Sequence, residues 1–155
     1  MSREPIVSPL SRERIVEAAR GWIGTPYLHQ SSLSGVGCDC LGLVRGVWRE
    51  LIGPEPESPG VYSADWAEAS ATERLAQAGF RNFRPVGKTD FEAGDILLFR
   101  WRANVPAKHV AIAVSTNAMV HAQDGSSVCE VALSHWWRRR IAYAFAFPGV
   151  PDLNV

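Results

Sequence analysis

The chain has 155 residues with 16 basic and 16 acidic side chains, so its formal net charge at pH 7 is zero. This balance gives no overall field that would favour nucleic acid or an anionic membrane surface. Apolar residues make up 46% of the sequence, yet no apolar run has the length of a transmembrane helix. We therefore expect one globular domain that neither binds nucleic acid nor inserts into a membrane.

The ends of the chain differ in pattern from its middle. Residues 1–10 lack the basic start, apolar stretch and small-residue cleavage site of a secretory signal, and two prolines predict an extended arm there. We therefore expect synthesis in the cytoplasm. A single domain is predicted over residues 11–148, followed by a tail over residues 149–155.

Two helices are predicted in the first third of the chain. Ser11 is the expected N-cap of the first, whose apolar face ends near Gly24. A turn and a polar, glycine-rich loop over residues 29–37 follow. The second helix is predicted from Cys40 to about Ile52, with its N-cap at Asp39.

The remaining sequence changes from helical to strand-like patterns. A surface helix is predicted from about Ser63 or Asp65 to Ala78, ending at Gly79. Five strands are predicted after it, over residues 96–100, 109–115, 119–121, 128–133 and 141–147. Helices first and strands later indicate an α+β fold, with helices packed on one side of an antiparallel sheet.

Cys40 is the candidate nucleophile because it opens the second helix. The positive end of a helix dipole favours a thiolate, so the sequence predicts a lowered pKa for this thiol. A thiolate attacks carbonyl carbon. The alternative is that Cys40 is a small buried apolar residue, as many free cysteines are.

Two histidines are candidates for the base that such a nucleophile needs. His109 begins the second predicted strand and His121 lies near the end of the third. If a turn at residues 115–117 joins these strands as a hairpin, the two imidazoles lie close together at its open end. One could then take the proton from sulfur while the other orients it. Taken alone, each would more often be a surface or core histidine.

Three cysteines exclude a complete set of disulfide pairs. Cys38 and Cys40 are too close in sequence for an unstrained bridge in most backbones. A zinc site built from both, Cys129 and a histidine is conceivable, but the one-residue gap between the first two is unusual for zinc. We expect Cys129 to pack in a strand. Cys38 either lines the site or traps Cys40 on oxidation.

These residues lie within motifs that resemble the NlpC-type cysteine peptidases, the papain-like cell-wall hydrolases of bacteria and their phages. The motifs occur in family order over roughly residues 11–147. They are Gly24-Thr25-Pro26-Tyr27, Asp39-Cys40-Leu41-Gly42-Leu43-Val44, Gly94-Asp95-Ile96-Leu97-Leu98-Phe99, His109-Val110-Ala111-Ile112 and Val120-His121-Ala122. Leu41 is a departure, because most members carry serine after the nucleophile.

The resemblance implies a papain-like fold, with N-terminal helices packed on a five- to six-stranded antiparallel sheet. It implies Cys40 as nucleophile, His109 as base and His121 as the orienting residue. Tyr27 matches a family tyrosine that helps bind oxyanion or substrate, and Gln30 is a weaker candidate for the same role. No metal or organic cofactor is implied. The implied reaction is hydrolysis of peptidoglycan stem peptides, commonly at a γ-D-glutamyl to diamino-acid bond.

Two further segments resemble the branch found in tailed phages and phage-derived gene transfer agents. They are Tyr27-Leu28-His29-Gln30 and Trp136-Trp137-Arg138-Arg139-Arg140-Ile141. This likeness implies incorporation in a tail particle with tail hub or baseplate partners, for which the Trp136-Trp137 pair and the two terminal arms are candidate docking surfaces. The alternatives are a structural hub or plug component with little activity, and another cytoplasmic amide hydrolase or acyltransferase.

Overall fold

The computed structural model describes residues 10–60 and 73–151. Within this part of the chain, four helices and eight strands follow one another in an α+β arrangement, as predicted. In chain order they are α1 (Arg12–Arg20), β1 (Ser32–Leu33), β2 (Gly37–Cys38), α2 (Cys40–Leu51), α3 (Arg74–Asn82), β3 (Arg84–Val86), β4 (Ile96–Phe99), β5 (His109–Ala113), β6 (Ala118–His121), β7 (Cys129–Ala132), α4 (His135–Arg138) and β8 (Ile141–Ala146).

Helix α1 has the predicted N-cap and a shorter course than predicted. The Ser11 hydroxyl accepts a hydrogen bond from the Arg14 backbone N–H at 3.1 Å. The helix ends at Arg20 because the following residues tighten into turns. Gly24 then takes φ +93° and donates its N–H to the Val128 carbonyl, which ties this turn to the far end of the chain.

Helix α3 continues past Ala78, the predicted end, as far as Asn82. Gly79 lies inside the helix and leaves room for the Phe145 ring, which would be 2.7 Å from a Cβ at that position. The glycine is therefore a packing residue and not a stop signal. The predicted start of this helix falls outside the described residues, as do most of the N-terminal arm and the end of the tail.

The main sheet has six antiparallel strands in the order β3-β8-β4-β5-β6-β7. All five predicted strands are present. The sequence did not predict β3, a three-residue edge strand that contains Pro85, or the small β1–β2 hairpin within the predicted loop. Proline is confined to edges of sheets because it cannot donate to a ladder, and this makes such strands hard to predict.

Both faces of the sheet are buried. Alternate residues of β4 and β5, such as Leu98 and Val110, pack against α1, α2 and α3 on one face, while Leu97 and Ala111 belong to a second core on the other. This explains the nearly continuous apolar runs of these strands. Among the described helices, none is long and apolar enough to cross a membrane.

Candidate active site

Hydrogen bonds and an isolated β-bridge hold the loop before α2 in place. Thr25 is buried, its carbonyl accepts the Val128 N–H at 2.8 Å, and its hydroxyl accepts the Gly35 N–H at 3.0 Å. Two residues later, Tyr27 forms an isolated bridge with Cys38. These attachments position Tyr27 beside the start of α2.

Asp39 organises the start of α2. Its buried carboxylate accepts the Gly42 N–H at 2.7 Å, which is the predicted N-cap bond, and also the Gln30 N–H at 2.8 Å. The His29 imidazole lies 3.8 Å from the same carboxylate. Asp39 thus caps the helix, as predicted, and also holds the loop against it.

The Cys40 sulfur lies among backbone donors. The N–H groups of Cys40 itself, Leu41 and Val110 lie around it. These N–H groups favour a thiolate, but burial and the adjacent Asp39 outweigh them and raise the pKa of Cys40 to about 12. The expectation of a lowered pKa was therefore wrong for this state of the protein, because the helix-dipole argument neglects burial.

His109 and His121 meet as the hairpin hypothesis predicted. Strands β5 and β6 pair at Ile112 and Ala113, and His109 Nε2 lies 2.9 Å from His121 Nδ1 beyond that paired part. Val110, the residue after His109, has its backbone N–H beside the Cys40 sulfur. The thiol and both imidazoles therefore lie at the same end of β5.

Tryptophan side chains surround the imidazole pair. Trp101 stacks on His109 with ring centroids 5.5 Å apart, and Trp137 contacts His109 at 5.8 Å and His121 at 5.3 Å. Burial in these surroundings lowers the pKa of His109 to about 3 and that of His121 to about 4. Both rings are neutral at pH 7.

The two tryptophans of the proposed docking pair have different surroundings. Trp136 is exposed, whereas Trp137 is half-buried and packs on the histidines, so only Trp136 presents a free surface. Sequence analysis missed Trp101 altogether. The sequence signal for Trp101 was weak. Trp101 directly follows one predicted strand, and the next predicted strand begins with His109.

Of the two oxyanion candidates, Tyr27 has a pKa that responds to the charge of the nucleophile. Burial raises the pKa of Tyr27 to about 12, and Cys40 and Asp39 add to the shift. Its phenol therefore remains a hydrogen-bond donor at physiological pH. Gln30 adopts φ +66° and is held to Asp39 through its backbone N–H. This bond places Gln30 beside the start of α2, and its oxyanion role stays a prediction.

The other two cysteines are not paired. Cys38 is buried in β2, where burial raises its pKa to about 11, and Cys129 is half-buried opposite His121. Within residues 10–60 and 73–151, no group of three or more histidine, cysteine or acidic side chains is arranged to hold a metal ion. The described residues thus offer a thiol and imidazoles as their reactive groups.

The chemistry available here is proton transfer from a thiol to an imidazole followed by attack on carbonyl carbon, which defines a cysteine peptidase. The class is a hydrolase on an α+β scaffold. Residues 24–145 match the NlpC/P60 family, and the chain belongs to this family.

Similar proteins agree with this assignment. Murein DD-endopeptidase MepS/Murein LD-carboxypeptidase of Escherichia coli K12 is 29% identical over 132 residues. The match covers 83% of the present chain and 59% of that relative, so the chain spans about three-fifths of the relative's length.

Solved structures share the fold. The NlpC/p60 domain of the peptidoglycan hydrolase SagA superposes with a TM-score of 0.64 at 24% identity, covering 89% of this chain and all of that domain. An NlpC/P60 family protein from Bacillus cereus ATCC 10987 also gives 0.64, at 20% identity, over 91% of this chain and 41% of its own. The papain-like helix-and-sheet architecture expected from the sequence is thereby confirmed.

Proposed function

We propose that the protein is a peptidoglycan endopeptidase that cleaves peptide stems, with the γ-D-glutamyl to diamino-acid bond as its target. The observation that carries the proposal is the hydrogen-bonded pair of His109 and His121 at the strand end where the Cys40 sulfur lies. Membership of the NlpC/P60 family and the murein activities named for the E. coli relative support peptidoglycan as the substrate.

The hydrogen bond between the imidazoles limits how protons can move. For His109 to act as base through Nδ1, its neutral ring must carry its proton on Nε2, which then donates to His121 Nδ1. His121 fixes this tautomer and stabilises the imidazolium once His109 has taken the thiol proton. The Cys40 sulfur then attacks the carbonyl carbon, and His109 returns the proton to the leaving amine. Water clears the acyl-enzyme.

The oxyanion that forms in this attack is negative and needs donors. The first N–H groups of a helix have no partner within the helix, and those of Cys40 and Leu41 already face the sulfur. The Tyr27 phenol, with its raised pKa, supplies a further donor. Each donor that reaches the oxyanion contributes about 3 kcal/mol to the transition state.

We further propose that a phage-like tail carries the enzyme to the wall. The support is the resemblance of residues 27–30 and 136–141 to the phage and gene-transfer-agent branch. Carriage by a particle would raise the local concentration of the enzyme at its substrate. Mass spectrometry of purified particles from the producing cells tests this point, and absence of the chain from particles that contain their other tail proteins would contradict it.

The peptidase proposal is tested by digesting purified sacculi with the native chain, with Cys40→Ala and with Cys129→Ala as a matched cysteine control. We expect soluble muropeptides from the native chain and from Cys129→Ala, and none from Cys40→Ala. Mass spectrometry of the fragments identifies the bond, and so separates a γ-D-glutamyl cut from a DD or LD cut.

Two results would overturn the proposal. Equal release by native chain and Cys40→Ala would mean that another group or a contaminant does the chemistry. If none of the three proteins releases muropeptides and free stem peptides also stay uncleaved, the protein is not a stem-peptide hydrolase. The remaining interpretations are then a structural tail component and an enzyme that acts on a different amide substrate.

A further inference from the structure

One arginine near the proposed active site is fixed in place by an aromatic ring. Arg140 connects α4 to β8, and its guanidinium carbon lies 3.8 Å from the centre of the Trp136 ring. Its Nη1 donates to the Trp136 carbonyl at 2.9 Å, and its own carbonyl accepts the Arg100 N–H at 3.0 Å. The side chain is thus held on the ring by a cation–π contact and a hydrogen bond.

Within residues 10–60 and 73–151, this guanidinium has no carboxylate partner. Six arginines of the described residues form ion pairs with carboxylates: Arg12, Arg20, Arg45, Arg49, Arg81 and Arg100. Among those same described residues, no carboxylate lies within 4.0 Å of a nitrogen of Arg140. In addition, Arg140 Nε is buried there without a hydrogen-bond partner. Such a donor gains most from an anionic acceptor.

A series of aromatic ring contacts connects Arg140 to the imidazole pair. Trp136 packs edge-on against Trp137 with centroids 4.9 Å apart, and Trp137 contacts both His109 and His121. Two ring-to-ring contacts therefore separate Arg140 from the proposed base. An extended peptide of a few residues, at about 3.3–3.6 Å each, spans this separation.

The geometry points to Arg140, supported by Trp136, as a subsite for a carboxylate of the peptide stem beside the bond that is cut. This inference rests on the proposed function. A γ-linked glutamate leaves its α-carboxylate free, and a diamino acid with two carboxyl groups leaves one outside the peptide chain. Either presents a fixed negative charge, and the planar guanidinium binds a carboxylate through two N–H groups.

The experiment compares stem peptides that differ by one charge. Three synthetic stem peptides are used: one with both side carboxylates free, one amidated at the glutamate and one amidated at the diamino acid. For the native chain we expect kcat/KM to fall about tenfold on one of the two amidations, mainly through KM, because the contact lies away from the reacting atoms.

The variant Arg140→Gln should lower kcat/KM for the charged peptide about tenfold and remove the difference between it and the amidated peptide. Arg139→Gln is the matched control, since it removes the same charge from the exposed neighbouring residue and should leave the preference intact. Trp136→Ala should weaken the preference in part, because the guanidinium loses the ring that holds it.

A second readout does not depend on turnover. Titration calorimetry with Cys40→Ala and its Arg140→Gln double variant measures binding of the charged and amidated peptides. We expect the Arg140 contribution to appear only with the charged peptide and to weaken as salt is raised.

The possible outcomes distinguish the Arg140 subsite from the proposed peptidase activity on which it rests. Cleavage of all three peptides at equal kcat/KM by the native chain would overturn the subsite and leave the peptidase. So would an equal loss on every peptide in Arg140→Gln, since that indicates a structural role. Failure of the native chain to cleave any of them would overturn the proposed stem-peptide activity and the subsite with it.

Discussion

At the level of single residues, the site is built around neutral groups. Burial raises the pKa of Cys40 and lowers those of His109 and His121, so the unliganded protein holds a thiol beside neutral imidazoles at pH 7. In the proposed mechanism the proton of the Cys40 thiol therefore has to move to His109 before the sulfur attacks. This arrangement protects the sulfur from oxidation, because the thiolate is the reactive form.

The buried imidazoles give the stability of the fold a defined pH dependence. In the unfolded chain each has a pKa of about 6.5, whereas the folded values are about 3 for His109 and about 4 for His121. Between about pH 4 and 6.5 the unfolded state binds more protons, so the free energy of unfolding falls as pH is lowered through this window. The slope is up to about 1.4 kcal/mol per pH unit for each imidazole.

Urea unfolding of the native chain and of His121→Asn at pH 7, 6, 5 and 4.5 measures this slope. We expect it to be shallower in His121→Asn, which removes one titrating ring and keeps an acceptor near His109. His135→Asn, at an exposed position on α4, is the control and should retain the native slope. Identical slopes in all three proteins would show that the dyad does not titrate between these states.

The reactive residues could be predicted from the sequence, but their protonation states could not. Cys40 after an N-cap and two histidines on adjacent short strands are visible as local patterns. The two histidines are packed against Trp101 and Trp137, which are 61 and 97 residues away from Cys40 in sequence. A pattern read within one helix or hairpin does not contain such contacts.

At the level of elements, α2 and the preceding loop form one unit. Gly42, in the first turn of the helix, lies where a Cβ would overlap the Ser31 carbonyl oxygen. The Ser32 hydroxyl donates to the Gly42 carbonyl at 2.6 Å, and Asp39 bonds both Gly42 and Gln30. The loop can approach the helix this closely because residue 42 has no side chain.

Gly42→Ala should therefore push the loop away from α2. We expect a loss of about 1–3 kcal/mol in the free energy of unfolding, as for other overpacked cores, although alanine favours helices. Peptidase activity should fall by more than the unfolded fraction explains, because the loop carries Tyr27. Denaturant unfolding and kcat/KM are measured beside Glu50→Ala, an exposed change in the same helix. Native values for Gly42→Ala on both measurements would contradict the close-packing argument.

Elements defined by strong local signals could be predicted, and those defined by packing could not. The caps at Ser11 and Asp39 and the five predicted strands follow from side-chain chemistry and periodicity. The end of α3 did not, because Gly79 resembles a stop signal until the Phe145 ring beside it is known. The edge strand β3 is defined by its pairing with β8, which lies far away in sequence.

At the level of the whole molecule, one buried ion pair connects the N-terminal helix to the sheet. Arg12 opens α1, and its Nη1 donates to Asp95 Oδ1 at 2.7 Å and to the Ala93 carbonyl at 3.2 Å. Asp95 lies in the turn before β4 and is fully buried. Burial raises the pKa of Asp95, although Arg12 and the Glu92 N–H oppose this.

Removing the arginine leaves a buried carboxylate without its cation, and we expect Arg12→Ala to cost about 3–5 kcal/mol at pH 7. The loss should be smaller at pH 5, because without Arg12 the pKa of Asp95 rises further and the folded protein can hold the neutral acid. Urea unfolding at both pH values measures this, with the exposed Arg14→Ala as a control expected within about 0.5 kcal/mol of native. In Arg12→Ala/Asp95→Asn the destabilisation should be less than the sum of the two single changes, since each removes the same interaction. Additive losses would mean that Arg12 and Asp95 stabilise the fold independently of each other.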